Sequence, residues 1–265
     1  MPNDQHFVTT GATIAYQLNG PDIAVPIGYG HGVLMSRTIV RGLGVFDIDA
    51  IAEGRRLLTY DQRGHGLSSG RPEPADYRFE QAATDLLGVL DVAGLDEPID
   101  FAGSSLGAAA ALYAVLDAPE RFRRLALLIP PVAWETGPDQ RRQWYFETAD
   151  LIDDIGPTAW RQRWAEAPPL PIFADYPQGQ FTPGVSDAVA SSALRGVGSS
   201  DLPDPHRLTS IRQPTLVLAW DTDPLHPTAT AERIADLIPD CTLHVARTVD
   251  EVQSWTRLTA TFFNG

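Results

Sequence analysis

Short, almost wholly apolar runs alternate along this chain with longer segments whose apolar residues recur at helical spacing. A strand that is apolar at successive positions has no face fit for water, so both faces must be covered. Helices crossing over a parallel sheet supply that cover. The spacing predicts strands over residues 6–10, 13–18, 24–29, 57–60, 99–102, 125–129, 215–219 and 242–246. The first two are short, alternate in polarity and flank a Thr-Gly-Ala turn, which makes them an antiparallel hairpin at a sheet edge. Helices are expected over 79–92, with Gly94 placed to close the end, and over 228–237 and 250–262. A further helix over 106–116 is alanine-rich and apolar nearly all round, so it should be buried. The pattern describes an α/β protein with a mostly parallel eight-stranded sheet.

One stretch breaks the rhythm. Residues 133–213 contain no convincing strand; Trp134, Trp144, Trp160 and Trp164 fall there in two expected helices, followed by proline-rich turn signals. An insertion of that length between core strands reads as a lid rather than idle loop. The expected division is a core of residues 1–132 and 214–265 with a mainly helical cap over 133–213. A chain of 265 residues suits one such domain.

Composition narrows the partners. Asp and Glu number 34 against 20 basic residues, all of them arginine, for a net charge of −14. Such a surface repels phosphate backbones and anionic bilayers, so neither nucleic acid nor membrane is an expected partner. The single Cys241 excludes an internal disulfide. The six histidines form no ligand pair, and no metal is expected. Gly28, Gly30 and Gly32 lack the helix that a dinucleotide loop needs, so no cofactor is expected either. The start of the chain reads as no signal peptide, and no apolar run is long enough to span a bilayer. A cytoplasmic monomer or homodimer acting on a small molecule is the expectation.

Gly103-Ser104-Ser105-Leu106-Gly107 follows one expected strand directly and opens an expected helix directly. A G-x-S-x-G turn in that setting forces a sharp bend that projects Ser105 outward, and the glycines let backbone pack closely around it. The helix start behind it offers free N–H groups and positive dipole charge where an oxyanion would form. Gly30-His31-Gly32-Val33 ends the third strand. The N–H groups of Val33 and Leu106 are the candidate oxyanion donors, and His31 is expected to brace its own turn. Tyr60 to Ser68 (Tyr-Asp-Gln-Arg-Gly-His-Gly-Leu-Ser) reads as scaffold.

With His31-Gly32, Asp61-x-Arg63-Gly64-x-Gly66-x-Ser68, the bend at Ser105 and Pro214-Thr-Leu-Val-Leu in order, the chain resembles the α/β-hydrolase superfamily. Its likeness is to the lid-bearing branch of small esterases and bromoperoxidase-like proteins. The resemblance implies an α/β-hydrolase fold and a serine, acid and histidine occurring in that order. It places the acid in Trp220-Asp221-Thr222-Asp223-Pro224-Leu225-His226-Pro227, where the spacing to proline selects Asp223 over Asp221, with Trp220 standing where the family has glycine.

The histidine departs from the pattern. The family places it one short turn after the last strand, where this chain has Glu251 beside Asp250, and no histidine follows His244. A serine hydroxyl needs a base that works near neutral pH and then returns the proton to the leaving group. Three readings follow: His226, three residues past the acid, serves as base; Glu251 or Asp250 serves; or hydrolysis is lost and the bend survives as a ligand-binding nest in a non-hydrolytic protein. The first makes the chain a cofactor-free serine hydrolase of a carboxylic ester, lactone or thioester of a small or medium apolar compound. Candidate pocket residues are Tyr29, His31, Ser104, Trp134, Trp144 and Trp220.

Overall fold

The computed structural model describes residues 4–134, 140–176 and 179–265. Eight strands form one sheet: β1 (Gln5–Thr9), β2 (Ala12–Asn19), β3 (Ile27–Gly30), β4 (Leu57–Tyr60), β5 (Ile99–Ser104), β6 (Phe122–Leu128), β7 (Thr215–Trp220) and β8 (Cys241–Ala246). Their spatial order is β1-β2-β4-β3-β5-β6-β7-β8. The β1–β2 hairpin is antiparallel and lies at the edge, β2 pairs antiparallel with β4, and the remaining ladders are parallel. All eight expected strands are present; β4 has the expected bounds and the other seven have ends shifted by a few residues. Strand β3 begins at Ile27 because Pro26 has no N–H to give a ladder. Strand β6 begins at Phe122, before the apolar run, because Arg123 can leave the sheet and meet the buried Asp100.

Helices cover both faces. On one lie α3 (Phe79–Val92), α4 (Leu106–Asp117) and α9 (Thr228–Leu237); on the other lie α1 (Arg37–Leu43), α2 (Ile48–Ile51), α10 (Val249–Gln253) and α11 (Trp255–Asn264). Leu125, Leu127 and Val217 join the first core; Ala126, Leu128, Leu216 and Leu218 join the second. That alternation is the pleat of strands wet on neither side. The expected helix over 250–262 is two helices meeting at Ser254, so that Val252 and Trp255 both turn inward. Helices α1 and α2 escaped the reading because each is too short to show a period.

Between β6 and β7 the chain forms α5 (Gln140–Ile155), α6 (Pro157–Glu166), α7 (Ala190–Gly198) and α8 (Pro205–Leu208). Trp144 lies on α5, and Trp160 and Trp164 on α6, but Trp134 precedes the helices in a turn. Tyr145 and Ala149 of α5 and Ala193 and Leu194 of α7 extend the first core upward over the C-terminal ends of the strands. Among the described residues no helix is long and apolar enough to cross a membrane.

Candidate active site

Ser105 stands between β5 and α4 with φ 51° and ψ −109°. A positive φ at a residue bearing Cβ costs about 1–3 kcal/mol and persists only where its surroundings fix it. Here the surroundings are glycines: a Cβ on Gly103 would lie 2.4 Å from the Gly107 carbonyl oxygen, and one on Gly107 would lie 2.1 Å from that of Gly30. The bend is clamped by Ser105 N–H donating to Leu128 O at 2.9 Å and by Ala109 N–H donating to Ser105 O at 2.9 Å. The hydroxyl makes no capping bond to its own helix. Instead Ser105 Oγ lies 2.9 Å from His226 Nε2.

The imidazole comes from the loop after β7. Asp223 Oδ1 accepts the N–H groups of Leu225 (2.8 Å) and His226 (2.9 Å), while Oδ2 lies 2.9 Å from His226 Nδ1. The turn therefore carries acid and imidazole as one piece, and Asp223 is buried. A carboxylate can only accept, so Nδ1 must bear a proton, which leaves Nε2 of the neutral ring free to accept from Ser105 O–H. Among the residues expected at the site, the structure brings Ser105, Asp223 and His226 into one hydrogen-bonded chain.

It does not bring Glu251 or Asp250 there. Thr248 caps α10 by accepting the Glu251 N–H, and the Glu251 carboxylate accepts the N–H of Arg247. Both acidic side chains are exposed, because the inward face of α10 is taken by Val252. This corrects their candidacy as the alternative base.

The turn of residues 31–34 lies against the serine: a Cβ on Gly32 would sit 3.2 Å from Ser105 Cβ and 3.8 Å from its Oγ. Val33 lines the same space, and Leu106 is the first residue of α4, whose N–H has no acceptor within the helix. Two histidines hold this turn. His31 Nε2 accepts the Gln62 N–H (2.9 Å) and its Nδ1 donates to Gly32 O (2.8 Å). His65 Nε2 accepts the Leu34 N–H (3.2 Å) and Nδ1 donates to Arg63 O (2.8 Å). Burial drives the pKa of His31 downward and that of His65 to about 3, the neighbouring His31 adding to the latter. His31 is fully buried and braces the turn; it does not line the cavity, which corrects the expectation that it is a pocket residue.

Ser105 opens into a cavity of about 700 Å³. Tyr29, Ser104, Trp144 and Trp220 line it as expected, but Trp134 does not: its indole donates to Pro203 O and its backbone N–H to Asp201. Its proximity to other tryptophans in sequence gave no information on direction. Sequence reading missed Phe46, Phe173 and Trp255. Trp220 stacks on Trp255 at 6.0 Å and meets Phe173 edge-on at 5.4 Å. No arginine, aspartate or glutamate is among the described residues lining the cavity.

Residues 31–253 match the family model of the alpha/beta hydrolase fold. The chain is 28% identical over 246 residues to a poly(3-hydroxyalkanoate) depolymerase of Ectopseudomonas oleovorans, spanning 86% of this chain and 82% of that protein. It is 25% identical over 223 residues to 3-oxoadipate enol-lactonase 1 of Acinetobacter baylyi, spanning 81% and 77%. The fold superposes on a hydrolase from Pseudomonas aeruginosa PA01 with a TM-score of 0.79 at 22% identity, covering 99% of this chain and 98% of the other.

Proposed function

The chain belongs to the alpha/beta hydrolase family, and we propose that it is a serine hydrolase cleaving carboxylic esters, lactones or thioesters of small to medium uncharged, apolar compounds. The observation that carries this reading is the unbroken chain from Asp223 through His226 to Ser105, with both links at 2.9 Å. His226 Nε2 takes the hydroxyl proton as Ser105 Oγ bonds to the acyl carbon. The N–H groups of Val33 and Leu106 receive the negative charge on the former carbonyl oxygen. As the bond from acyl carbon to leaving oxygen or sulfur breaks, His226 returns the proton to the leaving group. Water then gives a proton to His226 as its oxygen bonds to the acyl carbon; as the bond from acyl carbon to Ser105 Oγ breaks, His226 returns that proton to Oγ, which frees the acid and the serine. Asp223 holds the ring in the required tautomer and balances the imidazolium charge. Every step uses groups of this chain.

The helices of residues 133–213 act in this reading as a cap, since Trp144 and Trp164 close the apolar cavity above the serine. Large apolar walls without a cation favour uncharged acyl groups. The test is incubation with a fluorophosphonate followed by intact mass. One adduct is expected, absent from Ser105→Ala, and 4-nitrophenyl butanoate turnover should disappear with it. A wild-type protein that neither labels nor turns over the ester would mean that the serine serves ligand binding.

A further inference from the structure

Two hydroxyls face the cavity that the acyl-transfer steps leave unused. Tyr29 on β3 and Ser104, the last residue of β5, hold their oxygens 2.5 Å apart, and both line the cavity. Two hydroxyls carry two protons, and their mutual hydrogen bond consumes one. Among the described residues this is the bond that either hydroxyl makes. The second O–H therefore has its acceptor to find in the cavity, where the surrounding wall is apolar. Tyr29 is buried, and burial holds its pKa at about 12, so it stays a neutral donor throughout the working pH range.

Strand order says which part of a substrate meets the pair. His226 reaches Ser105 from the β7 side, and it must lie beside the leaving group to protonate it. Strand β3 flanks β5 on the opposite side, away from β6 and β7. The pair thus sits with the acyl group, next to the serine that carries it. We propose that Tyr29 and Ser104 form a specificity site for an acceptor oxygen on the acyl group, a keto, hydroxyl or ether oxygen a few bonds from the carbonyl. The enzyme then prefers oxygen-substituted acyl groups to plain alkyl ones. This inference rests on the acyl-enzyme reading above.

Two probes of nearly equal shape test it: 4-nitrophenyl methoxyacetate and 4-nitrophenyl butanoate, which differ by an ether oxygen in place of a methylene. The ratio of their kcat/KM values is compared with the ratio of their hydroxide hydrolysis rates, which carries their intrinsic reactivity. The wild-type ratio is expected to exceed the hydroxide ratio by about tenfold, the discrimination that one hydrogen bond supplies. In the double variant Tyr29→Phe/Ser104→Ala the excess should vanish, read as the ratio of the two esters so that any fall common to both cancels, and each single variant should keep part of it. A wild-type ratio equal to that of hydroxide overturns the proposal without any variant having to fold. So does a double variant that loses both esters in parallel, the mark of a purely structural pair. Phosphonate labelling of Ser105 reports the acyl-enzyme reading separately: a labelled protein without the ether preference removes this site alone. If Ser105 does not label, tryptophan fluorescence titration of Ser105→Ala with the two esters decides. Tighter binding of the methoxy ester supports the site, and equal binding removes it.

Discussion

Asp223 and His226 are bound to each other twice, through Oδ1 to the backbone N–H and through Oδ2 to the ring, so the imidazole has little freedom to leave Ser105. Replacing His226 by Ala should lower kcat by about 10³–10⁴. Glu251→Gln should leave turnover within about twofold, its loss confined to a few tenths of a kcal/mol at the α10 cap. Steady-state rates and a thermal melt of both variants check this, and the reverse ranking would transfer the base to the carboxylate. Ser105 was legible from its setting between an expected strand and an expected helix, and Asp223 from the place that the family resemblance implies for the acid. His226 was legible only as one of three options, because a base is chosen by direction in space and the sequence records only its distance from Asp223. A second expectation concerns His65. Its folded pKa of about 3 lies below the unfolded value near 6.5, so between them the unfolded chain binds the extra proton. The stability from keeping this ring neutral is full above pH 6.5 and falls as pH drops towards 3. His65→Gln should flatten the slope of Tm between about pH 6.5 and 5, ahead of most carboxylate titration. An unchanged slope would mean that the ring does not titrate on unfolding.

At the scale of elements, β5, the bend and α4 form one unit whose close contacts are made by absent side chains. Gly107→Ala would push a methyl to within 2.1 Å of the Gly30 carbonyl, and backbone on both sides must move. The expected cost is about 1–3 kcal/mol, or a fall in Tm of about 2–4 °C per kcal/mol, with slower phosphonate labelling as the serine shifts. A melt identical to wild type would refute this account of the bend. The central strands were readable because both of their faces are buried, and the edge hairpin because its polarity alternates on either side of a turn signal. Their ends were less so: Arg123 and Arg124 hide the start of β6, since charge in sequence resembles a loop until its buried partner Asp100 is seen. Helix α7 was missed although one of its faces is apolar, because it is only nine residues long and is set between proline-containing turn segments.

For the whole molecule, the acidic surface and the uncharged cavity act in the same direction. An ester whose acyl group ends in a carboxylate meets a net charge of −14 on approach and no arginine among the described lining residues. The kcat/KM for mono-4-nitrophenyl glutarate is therefore expected to be at least about tenfold below that for 4-nitrophenyl butanoate. Added salt should narrow only the part of the gap due to long-range repulsion. Equal rates would place an unrecognised cation at the site. The segment over 133–213 was visible in the sequence as an interruption, but not which of its tryptophans point inward. Trp134 and Trp144 look alike in the chain and both pack against the first core, yet of the two it is Trp144 that lines the cavity.

The loop after β7 supplies both partners of the serine, and this relieves the end of β8 of any duty to deliver an imidazole. Val252 and Trp255 stand there instead, buried in the second core and at the same time lining the cavity. A protein arranged in this way has one wall of its cavity, at Val252 and Trp255, on a stretch of chain apart from Ser105, Asp223 and His226. Substitutions there reshape the cavity without replacing any of those three side chains, so the wall at the start of α11 is where new preferences would be gained.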